Sequence, residues 1–113
     1  MIGGNTTLQL QVCSSVSNEI GEQVESWNTV QSIDGFIDMV SSDSNKTTYN
    51  AKVVEATDVF ISDYVPIAES INVENPDNVR GVVDGRIYDV QYIDDPMKLH
   101  EQLEIYLKYT GGQ

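Results

Sequence analysis

The sequence predicts a mainly β domain, folded as a small antiparallel β-barrel of about six strands with one short helical turn. Three observations carry this. Short runs of β-branched and aromatic residues recur along the chain, separated by Gly, Pro, Asn and Asp clusters. Only one helix-start signal is present, Asp94-Asp95-Pro96. Finally, a closed sheet leaves no free edges, which suits a small all-β chain; an open sandwich is the alternative architecture.

Taken in order, residues 1–5 form a Gly-rich polar lead. Residues 6–12 alternate as a strand, with Leu8, Leu10 and Val12 on one face and Gln9 and Gln11 on the other. Residues 13–21 are polar and end in glycine, which predicts a turn. Residues 22–33 contain apolar side chains of both parities: Trp27 and Ile33 share one, Val24 and Val30 the other. Asp34-Gly35 then interrupts before residues 36–40. Two readings stand, a hairpin with a tight turn or one long strand bent at a glycine bulge, and the bent strand is preferred.

Residues 41–48 are a polar run and the candidate mobile loop of the chain. Residues 57–62 predict a strand, with residues 52–56 a weaker extension, and Val65-Pro66 ends it because proline cannot donate to a ladder. Residues 67–73 are ambiguous, an edge segment at most. Residues 75–78, Asn-Pro-Asp-Asn, predict a turn.

The last third is the most regular. Asp84-Gly85 sits between two β runs and suits a two-residue type I′ turn, because both residues tolerate φ > 0. Asp95 is then the expected N-cap of a short helical turn, Pro96 its first residue, and Asp94 a charge favouring its positive end. His100 is placed on that turn. From residue 102 the chain alternates again: Leu103, Ile105, Leu107 and Tyr109 against Gln102, Glu104, Tyr106 and Lys108. Tyr88, Val90 and Tyr92 share one parity and are expected in the core with Leu103, Ile105 and Leu107.

The bulk numbers narrow the function. A chain of 113 residues suits one domain, residues 1–113. The formal net charge is −12, from 18 acids against 6 bases. Gripping a phosphate backbone needs Lys and Arg to displace counterions, and no basic cluster is present. Anionic membrane surfaces are disfavoured for the same reason. The acidity reads either as a solvated surface or as a wall beside a polyanion that must slide past without sticking. The opening residues lack the basic start and apolar stretch of a signal peptide. With Cys13 as the single cysteine, a reducing compartment is expected, with no disulfide and no cysteine metal site. His100 is the single histidine, and no nucleophile motif or phosphate loop accompanies it. No catalytic residue, metal ligand or cofactor is therefore expected, and the chain is read as a non-enzyme. Tyr106 and Tyr109 lie on opposite faces, so one should be exposed. With Lys108 they are the candidate interface.

Trp27, Ile33-Asp-Gly35, Asp58-Val-Phe-Ile-Ser-Asp-Tyr64, the run from Val82 to Pro96 and the closing run from Leu103 to Gly112 resemble the phage head closure, or head–tail adaptor, family of long-tailed phages and prophages. The resemblance covers residues 22–112. It implies a small antiparallel barrel that joins a homo-oligomeric ring in the virion, a dodecamer, assembled in the bacterial cytoplasm. The implied neighbours are a portal-side adaptor protein, tail-terminator or other tail proteins, and packaged DNA passing without sequence readout; no membrane is implied. Members act as stoppers, with a loop from each subunit closing the channel. On composition alone the candidate channel loop is Ser41, Ser42, Asp43, Ser44, Asn45 and Lys46, within residues 41–50. The alternatives are a tail-completion or tail-terminator protein, or a small ligand-binding barrel.

Overall fold

In the computed structural model, which describes residues 6–39 and 56–112, six strands alternate their side chains between solvent and a shared interior. They are β1 (Thr6–Ser17), β2 (Gln23–Met39), β3 (Asp58–Asp63), β4 (Val79–Val83), β5 (Arg86–Asp94) and β6 (Gln102–Gly112). The order β1-β2-β3-β6-β5-β4 closes on itself, and every neighbouring pair is antiparallel. Closure is made by β1 and β4, from Gln9↔Val82 to Val12↔Val79. The expected small antiparallel barrel is therefore observed.

The inside is built from the alternating residues read in the sequence. Leu8, Leu10, Phe60, Ile105 and Leu107 are wholly buried, and Ile33, Val83, Tyr88, Val90, Ile93 and Leu103 nearly so. Each such side chain contributes about 1.5–3 kcal/mol by leaving water. Gly35 is not in a turn. It pairs with Thr6, and a Cβ there would stand 2.3 Å from the Ile61 carbonyl oxygen and 2.9 Å from the Phe60 ring. Glycine thus lets β2 lie against β3 and Phe60. Residues 23–39 are one strand, as the bent-strand reading expected, but the register shift falls at Val30, the unpaired residue between Thr29↔Gln11 and Gln31↔Leu10. This shift swaps the inward parity of β2. Ile33 points in, while Trp27 pairs with Cys13 on the outside.

Three expectations are corrected, and the open reading of residues 67–73 is resolved. Residues 13–21 are not all turn: β1 runs to Ser17, and the reversal is confined to Asn18–Glu22. Asn18 makes that reversal, its side-chain oxygen accepting the N–H groups of Ile20 and Glu22 at 3.1 and 2.9 Å. Residues 67–73 form no strand. Gln31, on the inner face, donates to the Pro66 carbonyl (2.8 Å) and accepts from the Ala68 N–H (2.8 Å), drawing this segment over one barrel opening. Ile71 there is buried in the core cluster. Tyr92 is not a core residue, because Gln91 is an extra residue between Val90↔Leu107 and Tyr92↔Tyr106, and the bulge sends Ile93 inward instead. The turn Pro96–Lys98 does begin with Pro96, but Asp95 makes no side-chain cap, and Met97, Lys98 and His100 have φ of 56°, 54° and 57°. The expected β-hairpin turn is observed, with φ of 49° at Asp84 and 81° at Gly85.

The barrel has two unlike ends. At one lie the β1–β2 reversal, residues 64–78 and residues 95–101. At the other lie the Met39↔Asp58 pair, the Asp84-Gly85 turn and the last residues of β6.

Candidate interaction surfaces

The candidate channel residues Ser41, Ser42, Asp43, Ser44, Asn45 and Lys46 fall outside the described residues. Met39 and Asp58, which flank them, are register partners, so both attachment points of that segment sit at the Asp84-Gly85 end.

Tyr106, Lys108 and Tyr109 do not form one patch. Tyr109 is 48% exposed at the far rim, edge-on to the buried Tyr88 with ring centroids 5.5 Å apart. Burial pushes the Tyr88 phenol above its ordinary pKa; Asp58 and Tyr109 add to this and Arg86 opposes it. Lys108 is exposed on the outer wall opposite Asp89. Tyr106 is half-buried on the same wall, 6.2 Å from the Tyr92 ring, and its hydroxyl donates to Glu104 Oε1 at 3.1 Å.

Register extends the Tyr106 surface across three more strands. Tyr106 pairs with Val59 on β3 as well as with Tyr92 on β5, and the next outward row brings Phe36 of β2 opposite Ile61. Paired residues in an antiparallel ladder project to the same side. Phe36, Ile61, Val59, Tyr106 and Tyr92 therefore make an apolar and aromatic strip on the outside, with Phe36 43% exposed. Sequence reading missed Phe36, Val59 and Ile61 as surface residues. The available signal was that β3 is apolar on both parities, more than a one-faced strand needs.

A second outer cluster lies on β1, β2 and β4. The Arg80 guanidinium sits 4.4 Å from the Trp27 ring centroid, its Nε donates to Gln11 Oε1 at 2.8 Å, and Gln11 donates on to Thr29 at 3.0 Å. Trp27 is thus an outer-wall residue stapled by a cation–π contact.

The turn after β5 holds the nearest approach to a chemical site. Asp95 accepts the His100 backbone N–H at 3.0 Å and contacts the imidazole Nδ1, while the imidazole stacks on Tyr64 at 4.5 Å and 25°. His100 therefore follows the turn and closes it. A groove of about 800 Å³ opens alongside, lined by Tyr64, Ile67, Val73, Tyr92, Asp94 and Met97 among others. Among the described residues that line it, the hydroxyl groups are the phenols of Tyr64 and Tyr92, and no Ser, Thr or Cys stands beside the Asp95–His100 pair. Among the described residues no cluster of His, Cys, Asp and Glu is placed to hold a metal. Burial, then the charges of Glu104 and Asp95, raises the Asp94 pKa above its ordinary value.

The chain matches the model of the phage head completion protein family over residues 4–108, and it belongs to that family. It is a structural protein of the phage head, carried in the virion. The match takes in β1, which the resemblance over residues 22–112 left out. A chain of the solved virion of a native gene transfer agent (GTA) particle aligns with a TM-score of 0.56 and 12% identity, covering 96% of each chain. At that identity the likeness is one of fold. No curated protein matches the chain.

Proposed function

We propose that this chain is a head closure, or head–tail adaptor, subunit. It joins a ring below the portal and its adaptor, retains packaged DNA and offers the tail its attachment surface. The observation that carries this reading is the strip of Phe36, Ile61, Val59, Tyr106 and Tyr92 on the barrel wall. Apolar and aromatic residues gathered on an outer wall suit side-to-side contact between neighbouring copies. Tyr109 and Lys108 are the proposed rim of that contact. A ring of twelve copies multiplies the charge of −12 per chain into a strongly negative assembly. A negative channel wall lets DNA pass with little adhesion and no base readout. Residues 41–50 are the proposed channel segment.

The test is to mix the purified protein with portal–adaptor complexes and image them by negative stain. A new ring on the head-side connector is expected. Density on the tail tube alone would instead make the chain a tail terminator. Deleting residues 41–50 should leave the barrel folded and heads leaking DNA; heads that stay sealed would refute that segment's role.

A further inference from the structure

We propose that the end of the barrel carrying the β1–β2 hairpin is a docking face for a basic protein partner. Val16, Ile20 and Val24 enter an apolar groove of that partner, flanked by its Lys and Arg side chains.

The first observation is a core face without a cover. Leu8, Leu10 and Val12 face the interior, and the same face of the same ladder continues through the opposed pair Val16↔Val24. The neighbours do not continue with it. β4 pairs with β1 only between Gln9 and Val12, and β3 pairs with β2 only between Phe36 and Met39. Residues 14–25 are consequently all exposed, with Val16, Val24 and Ile20 at 56%, 47% and 79%. Val73, Met97 and Leu99, at 39%, 85% and 55%, are exposed at the same barrel end. Among the described residues, six of the ten exposed large apolar side chains thus gather there, against Met39 and Tyr109 at the other end.

The second observation is charge. Residues 14–25 carry three acids, residues 64–78 three and residues 95–101 two, and Lys98 is their only Lys or Arg. Such an end attracts a surface of opposite sign and repels its own kind. A second copy is a poor occupant on this ground. Its equivalent end is just as acidic, and of its described cations Arg80 is already engaged by Trp27 and Gln11.

The hairpin is also preformed. Asn18 receives the Ile20 and Glu22 N–H groups and donates its amide to Glu22 at 3.2 Å, so the tip loses little freedom on docking. The choice of partners for the test rests on the connector reading above.

Binding of the full chain to the purified portal-side adaptor ring and to the purified tail terminator of the same phage is measured at low and physiological salt. Three proteins are compared: the parent, the triple variant Val16→Ser, Ile20→Ser, Val24→Ser, and the triple variant Glu19→Gln, Glu22→Gln, Glu25→Gln. The parent should bind one of the two partners, more weakly as salt rises. The serine variant should lose about tenfold or more in affinity, and the glutamine variant should flatten the salt dependence. If both variants bind like the parent, the docking inference falls while the connector reading stands. Binding by the parent to neither partner removes both. Self-association of the parent that the serine variant abolishes would make a second copy the occupant, and overturn the proposal.

Discussion

β1 and β2 form a single ladder of two very different halves. Within the closed barrel, Leu8 and Leu10 are wholly buried; a few residues on, along the same face, Val16 is 56% exposed. Both halves have paired backbones, so strand formation alone does not distinguish them. What differs is the neighbour on either side. A two-stranded ribbon cannot bury its own apolar face and is marginal alone in water. The barrel half anchors the ladder, and the hairpin half extends from it with its face free. The comparison separates residues that hold the fold from residues that serve contact.

The sharpest way to break that division is to empty the barrel half. Phe60→Ala removes a fully buried ring that packs beneath Gly35 and pairs with Ile37 and Ile105. The expected loss is about 3–5 kcal/mol, read by denaturant unfolding at constant slope. A loss under about 1 kcal/mol would mean that the interior does not carry the stability. Gly35→Ala should cost about 1–3 kcal/mol by overpacking, because its methyl group meets the Ile61 carbonyl.

The boundary between the halves can be probed at Gln31. Its side chain holds residues 66–68 over the opening, so Gln31→Ala leaves the half-buried Ala68 N–H without its acceptor and returns the exposed Pro66 carbonyl to water. A loss of about 1–3 kcal/mol is expected, with faster amide exchange at Ala68 as the local signature.

Asp94 offers a smaller effect with a definite pH sign. Its folded pKa is raised above the ordinary 3.8, so the folded state holds the proton more tightly than the unfolded chain. Stability therefore declines as pH rises from the ordinary value through the raised one, and the cost is fully present above both. Asp94→Asn should raise the melting temperature at neutral pH, and its advantage should vanish as pH falls below the ordinary value. An advantage that grew toward acid pH would contradict the assignment.

Alternation made the barrel half legible from residues alone: Leu8, Leu10, Leu103, Ile105 and Leu107 are inside as their spacing requires. The Asp84-Gly85 turn was legible because positive φ at both positions selects few residues. The bulges at Val30 and Gln91 were not legible. An inserted residue leaves no local mark, yet it reverses the facing of every side chain beyond it, which is why Trp27 and Tyr92 lie outside. The hairpin half was hidden for another reason. Its serines and Asn18 signal a turn, while the long-range pairing that makes residues 13–17 a strand is not encoded by propensity. Val16, continuing the parity of Leu8 and Val12, was the available clue. The Asp95 cap failed because its carboxylate is taken by His100, a competition that spacing alone does not reveal.

The smallest expected effect is the one that completes the comparison. Val16→Ser removes an apolar side chain from the same ladder face as Leu8, and by residue type alone it resembles a core lesion. Val16 is more than half exposed, however, and its main neighbour is Val24 across the ribbon. Cross-strand pairs of this kind contribute about 0.2–1 kcal/mol, and surface substitutions away from special features stay within about 0.5 kcal/mol. The free protein should therefore unfold within about 0.5 kcal/mol of the parent, several-fold less than the loss for Phe60→Ala. A loss of about 2 kcal/mol or more would mean that the hairpin face is covered in the isolated protein. Its apolar residues would then belong to the fold, and the division between the two halves of the ladder would disappear.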